Sequence, residues 1–154
     1  MTVTPERQEN IDFSTTYANA IQVVIVPEDS DIASVDDLGN DKMIGCQDGT
    51  TGYIYCSDDY GDDHVNSYNN GAMAIQALLG GQVDAVVIDN EPAKAFVAEN
   101  EGLKILDTEY ANEDYAIGIA KGNDALMSAV NGALEELIAD GTVQAIVDQY
   151  IVSE

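Results

Sequence analysis

Short runs of β-branched and apolar residues alternate with segments of helical spacing along most of this chain. Residues 21–26 and 83–88 are the clearest runs, and their nearly continuous apolar character is typical of strands buried on both faces. Helical segments separate such runs, and strands that alternate with helices of about ten residues form right-handed βαβ units. The sequence therefore predicts an α/β fold with a mainly parallel sheet.

Turn residues and helix caps divide this pattern into elements. Ser34 and Gly39 bracket one short helical turn, and Asp140–Gly141 separates two helices in the C-terminal third. The predicted strands cover residues 21–26, 42–47, 64–68, 83–88, 103–106 and 115–120. The predicted helices begin near residues 53, 71, 91, 124 and 142.

Length and charge restrict the classes of protein to which the chain belongs. Its 154 residues correspond to one ordinary domain or two small lobes, and its net charge is -24 with only 5 Lys and Arg. Binding to nucleic acid or to an anionic membrane surface requires clustered basic side chains. We therefore expect neither nucleic acid nor an anionic membrane as a partner.

The acidic segment of residues 58–63 has two interpretations, a solvated turn or a cation site. Its glycine is the fourth residue and no glutamate closes the loop, whereas an EF-hand needs glycine at the sixth position and a terminal glutamate. The single histidine, His64, and the two cysteines lack the spacing of a zinc site. The sequence favours the solvated turn and predicts no metal site.

Cys46 and Cys56 flank the same strand-to-helix turn. The end of a strand and the first turns of the next helix lie close together, so a disulfide is compatible with this spacing. Two buried free thiols, which pack as small apolar residues, are equally compatible with it. Both alternatives stay open at this point.

Two segments fall where α/β proteins bind ligands, at the carboxyl ends of strands. Residues 47–52 are small and polar and precede a helix, so the N–H groups and hydroxyls around Gly49, Thr50 and Thr51 suit a carboxylate. Asp89 directly follows the predicted strand at residues 83–88, and its carboxylate there is an acceptor for an ammonium group. Each feature alone is also typical of an ordinary turn or a helix N-cap, but together they match the two charged ends of an α-amino acid.

Motifs in fixed order along the chain carry a resemblance to a known family. They are MTVTPER (1–7), VDDL (35–38), IGCQDGTTG (44–52), AIQAL (74–78), GQVDAVVID (81–89), YAIGIAKG (115–122) and DGT (140–142). With these motifs the chain resembles the periplasmic amino-acid-binding proteins of ABC importers, solute-binding protein family 3, which have the type II periplasmic-binding fold.

The resemblance implies a division into two lobes. Residues 22–110 correspond to a complete second lobe, residues 1–16 and 116–154 to the remainder of the first lobe, and residues 17–21 and 111–115 to hinge strands. The opening part of the first lobe has no counterpart, and the N-terminus lacks the basic and apolar regions of a signal peptide. The family implies an extracytoplasmic parent protein that docks on an ABC permease.

The resemblance also implies roles for individual residues around a polar amino acid bound between the lobes. Arg7, the only arginine, corresponds to the family's carboxylate-binding arginine, and Thr2 to a threonine that holds the same ligand. Thr51 corresponds to the carboxylate contact of the second lobe, Asp89 to the ammonium acceptor, and Gln47 to the reader of the ligand side chain. No catalytic residue and no cofactor are expected.

Apolar stripes on the two C-terminal helices would normally cover a part of the first lobe that this sequence does not encode. We therefore expect either a homodimer formed through these helices or local mobility, with amino acids binding weakly or not at all. Two other functions with the same fold are alternatives, a sensor or interaction module and a dehydratase-like enzyme. The single histidine, His64, disfavours the enzyme because it lies far from the expected crevice.

Overall fold

The computed structural model describes residues 1–39 and 41–150. The chain folds into two compact units. Unit 1 comprises Met1–Ala20 together with Glu113–Glu154, and unit 2 comprises Ile21–Asn112. Residues 151–154, which the resemblance assigns to the first lobe, lie outside the described residues.

Strands and helices alternate through the described chain. The strands are β1 (Ile11–Phe13), β2 (Ala18–Pro27), β3 (Ile44–Gln47), β4 (Val65–Tyr68), β5 (Ala85–Asp89), β6 (Leu103–Ile105), β7 (Ala111–Tyr115) and β8 (Gly118–Ala120). The α-helices are α1 (Pro5–Asn10), α2 (Thr51–Tyr60), α3 (Gly71–Leu79), α4 (Asn90–Glu99), α5 (Asp124–Ala139) and α6 (Thr142–Tyr150). Short 3₁₀-helices span Val35–Leu38 and Asp62–His64.

The main sheet is mixed rather than mainly parallel. Its strand order is β4-β3-β5-β2-β6, with β7 also pairing with β2. β3 is parallel to β4 and β5, whereas β2 lies antiparallel to both β5 and β6. The expectation of a mainly parallel sheet missed the reversed strand because a strand buried on both faces has the same apolar sequence in either direction.

Alternate residues of β2 enter two different cores. Val24 and Val26 face the cluster that includes Cys46 and Cys56, so α2 packs on that face of the sheet. Val23 and Ile25 face the cluster that includes Ile75 and Ala93, so α3 and α4 pack on the other face. Unit 2 therefore has helices on both faces of its sheet, as the α/β prediction requires.

Unit 1 contains a much smaller sheet. β1 pairs antiparallel with β8, with Ile11 opposite Ala120, and an isolated bridge joins Thr2 to Tyr115. The sequence predicts one strand over residues 115–120, but β7 and β8 are separate strands. They are separate because the chain changes partner at residues 116–117, where the N–H of Ala116 donates to the carbonyl of Met1 and that of Ile117 to the Ser14 hydroxyl.

Helices α5 and α6 of unit 1 are amphipathic, but none of the residues of α5 is buried. In the described part of the chain, no helix combines the length and the apolar composition needed to cross a lipid bilayer.

Candidate ligand-binding site

Two strand ends of unit 2 meet at one edge of the sheet. β3 and β5 are parallel neighbours, with Cys46 opposite Val87, so Gln47 and Asp89 end their strands at the same edge. The carboxyl edge of an α/β sheet is where ligands bind, because helices begin there with unpaired N–H groups. The structure thus brings the 47–52 loop and Asp89 to one edge, as the sequence predicts.

The turn between β3 and α2 is held by its own side chains. Gly49 has φ of 70°, a left-handed conformation that glycine adopts without strain. The Thr50 hydroxyl donates to the carbonyl of Gln47 at 2.7 Å and accepts from the N–H of Tyr53 at 3.4 Å. Because that hydroxyl caps α2, the turn offers a carboxylate mainly its backbone N–H groups.

Thr51 is the first residue of α2, and only 3% of it is exposed. The N-terminus of a helix carries a partial positive charge and attracts carboxylates. The neighbouring Gly52 lies tightly against the sheet, since a Cβ there would be 2.9 Å from Oε1 of Gln22. The start of α2 is therefore fixed by close packing against β2.

Asp89 lies at the N-cap position of α4, with φ of -54° and ψ of 142°, but its side chain makes no capping hydrogen bond. Its Oδ1 instead accepts a hydrogen bond from Nε2 of Gln22. The side chain is half-buried at the carboxyl edge of the sheet. Of the two interpretations of this residue, helix cap or carboxylate acceptor, the side-chain geometry does not support the cap.

Gln22 lies at the candidate site, and the sequence did not predict it there. It is 3% exposed, and it lies directly opposite Asp89 in the β2–β5 register. A signal was present in the sequence, because Gln22 is the single amide within the apolar run of residues 21–26. A buried amide needs hydrogen-bond partners, so its presence in a core strand indicates a polar neighbour.

A second polar group lies in unit 1. Nη1 of Arg7 donates to the carbonyl of Thr2 at 3.0 Å, and the N–H of Arg7 is capped by the Thr4 hydroxyl at 3.2 Å. The Thr2 hydroxyl donates at 3.0 Å to Oε2 of Glu113. Both residues are buried, with Thr2 5% and Glu113 4% exposed. The structure thus connects Arg7 and Thr2 within one unit and adds Glu113, which no apolar periodicity in β7 could have revealed.

Both cysteines of unit 2 are free and buried. Cys46 donates to the carbonyl of Gly52 at a distance of 3.7 Å. A hydrogen bond with Cys56, together with burial, raises the pKa of the Cys46 thiol far above its ordinary value. Of the two alternatives open from the sequence, the structure has the two free thiols.

The acidic segment of residues 58–63 forms the end of α2, a turn at Gly61 and the start of a 3₁₀-helix. Within residues 1–39 and 41–150, no three His, Cys, Asp or Glu side chains are grouped to hold a metal ion.

Solved structures define the class of protein to which this fold belongs. The arginine-, lysine-, histidine-binding protein ArtJ from Geobacillus stearothermophilus superimposes with a TM-score of 0.88 at 33% identity, covering 100% of this chain and 68% of that one. An ancestral arginine-binding protein bound to glutamine also gives 0.88, at 37% identity, covering 99% and 69%. The chain therefore has the α/β fold of the type II periplasmic amino-acid-binding proteins.

The family follows from the sequence as a whole. The chain belongs to the bacterial extracellular solute-binding proteins, family 3, whose family model matches residues 1–153. It is 31% identical over 151 residues to the ABC transporter glutamine-binding protein GlnH of Bacillus subtilis, covering 98% of this chain and 55% of GlnH. It is 32% identical over 155 residues to the ABC transporter arginine-binding protein 1 of Escherichia coli, covering 97% and 63%. The chain thus spans less than two thirds of the length of these two relatives.

Proposed function

We propose that this chain belongs to the amino-acid-binding component of an ABC importer and binds the charged main-chain groups of a polar amino acid. One observation carries the proposal: the Asp89 carboxylate and the N-terminus of α2 lie at the same edge of one sheet. Asp89 would accept the α-ammonium group, and the N–H groups around Thr51 would bind the α-carboxylate.

The remaining predicted site residues have supporting roles in this proposal. Arg7 would grip the carboxylate with its guanidinium, a bidentate geometry that lysine cannot reproduce, and Thr2 would hold the same ligand. Gln47, half-buried at the end of β3, would contact the ligand side chain.

The two-lobe organisation is also a proposal. Residues 22–110 would form one lobe, residues 1–16 and 116–154 would belong to the other, and residues 17–21 and 111–115 would be the hinge strands. The compactness boundaries near residues 20 and 112 support this division. In the whole extracytoplasmic protein, closure of the lobes on the ligand would present a binding surface to the permease.

We propose that the function is binding without catalysis. His64 is the only histidine, and it precedes β4 at the amino edge of the sheet, because Val65 pairs with Ile44 at the start of the parallel β3. That edge is opposite the one at which Gln47 and Asp89 lie. A general acid or base must reach the reacting group, and His64 does not reach this site.

A nuclear magnetic resonance titration tests the proposed function. Amino acids added singly at millimolar concentration are expected to shift the backbone N–H signals of residues 49–52 and Asp89, with weak affinity. For each amino acid that binds, the analogue without the α-ammonium group is expected to cause smaller shifts, because it offers Asp89 no ammonium group to bind. Asp89→Asn should abolish this difference, and Asp58→Asn, an exposed acid on α2, should preserve it.

Two outcomes would contradict these expectations. If no amino acid shifts any of these signals, the proposed site is wrong. If calorimetry gives sub-micromolar affinity for a single amino acid, the expectation of weak binding is wrong.

The homodimer is the last part of the proposal. Four large apolar side chains on α5 and α6 are between 38% and 51% exposed, namely Leu126, Leu137, Ile138 and Ile146. Exposed apolar side chains that cluster on helices tend to mark association surfaces. A second copy of the chain, contributing the same helices, would cover them in an isologous contact.

A further inference from the structure

Gln22 contacts the ammonium acceptor of the proposed site. Nε2 of Gln22 donates to Oδ1 of Asp89, and the two residues are directly opposite each other on the antiparallel strands β2 and β5. Neighbouring strands hold opposite residues about 5 Å apart, so the backbone itself fixes this pair. The contact therefore does not depend on a mobile loop.

The burial of Gln22 is unusual for its position. Residues 23–26, which follow Gln22 in β2, are apolar and buried, and the first two, Val23 and Val24, are 5% and 0% exposed. An amide buried among such residues costs free energy unless its hydrogen bonds are made. A valine or isoleucine would have served the packing of β2, so the amide is explained by what it contacts.

The other end of the Gln22 amide faces helix α2. A Cβ built on Gly52 would lie 2.9 Å from Oε1 of Gln22 and 3.4 Å from the carbonyl oxygen of Val87. Only a glycine at this point lets α2 approach the amide so closely. One side chain thus lies between Asp89 and the first turn of the helix that begins at Thr51.

Asp89 has a competing hydrogen-bond partner in its own helix. An aspartate at an N-cap normally accepts from the N–H groups two and three residues later. Here the third residue is Pro92, which has no N–H, so Glu91 supplies the remaining donor. The absence of a capping bond from Asp89 indicates that its carboxylate is held in another direction.

We propose that Gln22 is a positioning residue that directs the Asp89 carboxylate away from α4 and sets its place relative to the N-terminus of α2. The inference rests on the proposed function for the role of Asp89 as ammonium acceptor. The hydrogen bond between Gln22 and Asp89 does not itself require a ligand. Gln22 would act on the ligand only through Asp89, by keeping the ammonium acceptor at a fixed distance from the carboxylate-binding helix end.

The test measures the orientation of Asp89 in the ligand-free chain. Gln22→Met keeps the length of the side chain and removes the amide donor. Three-bond couplings should report one χ1 rotamer of Asp89 in the wild type and rotamer averaging in Gln22→Met, with slower exchange of the Glu91 N–H as Asp89 turns to cap α4. The matched control is Gln144→Met, which removes an exposed glutamine-to-aspartate bond of 2.7 Å to Asp148 and should leave Asp89 unchanged.

A second variant keeps the proposal testable if Gln22→Met fails to fold. Gly52→Ala places a methyl group against Oε1 of Gln22, so it should displace the amide and produce the same averaging at Asp89. An unchanged Asp89 rotamer in either folded variant would overturn the positioning role. Failure of amino acids to shift the site signals of the wild type would instead refute the proposed function and leave the positioning result standing.

Discussion

At the scale of single residues, Gly71 shows how closely helix α3 lies against its neighbours. A Cβ at this position would be 2.8 Å from Cδ1 of Ile88 and 3.0 Å from Cε2 of Phe96. We expect Gly71→Ala to lower the free energy of unfolding by about 1–3 kcal/mol, because the core must shift to accept the methyl group. Urea denaturation followed through the N–H signals of α3 measures this change.

The matched control is the same substitution in an open environment. Gly132 lies inside α5, and a Cβ there would have no atom within 4 Å. Gly132→Ala should therefore stabilise its helix by about 0.5–1 kcal/mol, since alanine loses less backbone entropy than glycine. If both substitutions change stability in the same direction, close packing does not explain Gly71.

Cys46 and Cys56 give a second prediction at this scale. Both thiols are fully buried, and the pKa of Cys46 is raised by its hydrogen bond with Cys56 and by burial, so little reactive thiolate forms at Cys46. We expect a thiol reagent to modify neither cysteine in the native chain and both after denaturation without reductant. If the thiol reagent modifies neither cysteine after denaturation, the two cysteines form a disulfide, and the expectation of free thiols is wrong.

At the scale of elements, the 3₁₀-helix Val35–Leu38 depends on one carboxylate. Asp37 accepts from the N–H groups of Ala33 at 3.0 Å and Ser34 at 2.9 Å, and these bonds lower its pKa below the ordinary 3.8. A carboxyl with a lowered folded pKa contributes stability that is present above its unfolded pKa and is lost as the pH falls through the folded one. Asp37→Asn should therefore lower the melting temperature at neutral pH, and the difference should shrink below pH 3.8.

Asp36 provides the control for this element, because it has the same charge and lies in the same first turn. Asp36→Asn is expected to leave the melting temperature nearly unchanged, both at neutral pH and below pH 3.8. A loss of stability in Asp37→Asn that stays constant across the acid range would show that the charge of Asp37 is not what holds the turn.

At the scale of the whole molecule, the two units differ in how much core each contains. The two hydrophobic clusters draw their buried residues from unit 2, whereas α5 of unit 1 has no buried residue. Light scattering is expected to show a mass that rises with concentration towards a dimer, with amide exchange in α5 slowing in parallel. Ile146→Lys, at a side chain that is 51% exposed on α6, should shift the equilibrium to the monomer.

Leu79→Lys is the control for the dimer, because Leu79 is 46% exposed on α3 of unit 2 and lies outside the proposed contact. It should leave the association unchanged. A monomer of constant mass across micromolar concentrations would reject the dimer, and equal effects of the two lysine substitutions would reject the C-terminal helices as its interface.

The sequence by itself determined the α/β class, most of the helices and strands, and the loop at residues 47–52 with Asp89. These depend on local periodicity, caps and turn residues, which neighbouring positions encode. The reversed direction of β2, the change of partner at residues 116–117 and the contacts of Gln22 and Glu113 were decided only by the tertiary structure. The physical reason is that strand direction and a buried polar contact depend on which distant residues become neighbours, as Gln22 and Asp89 do across 67 positions of the chain.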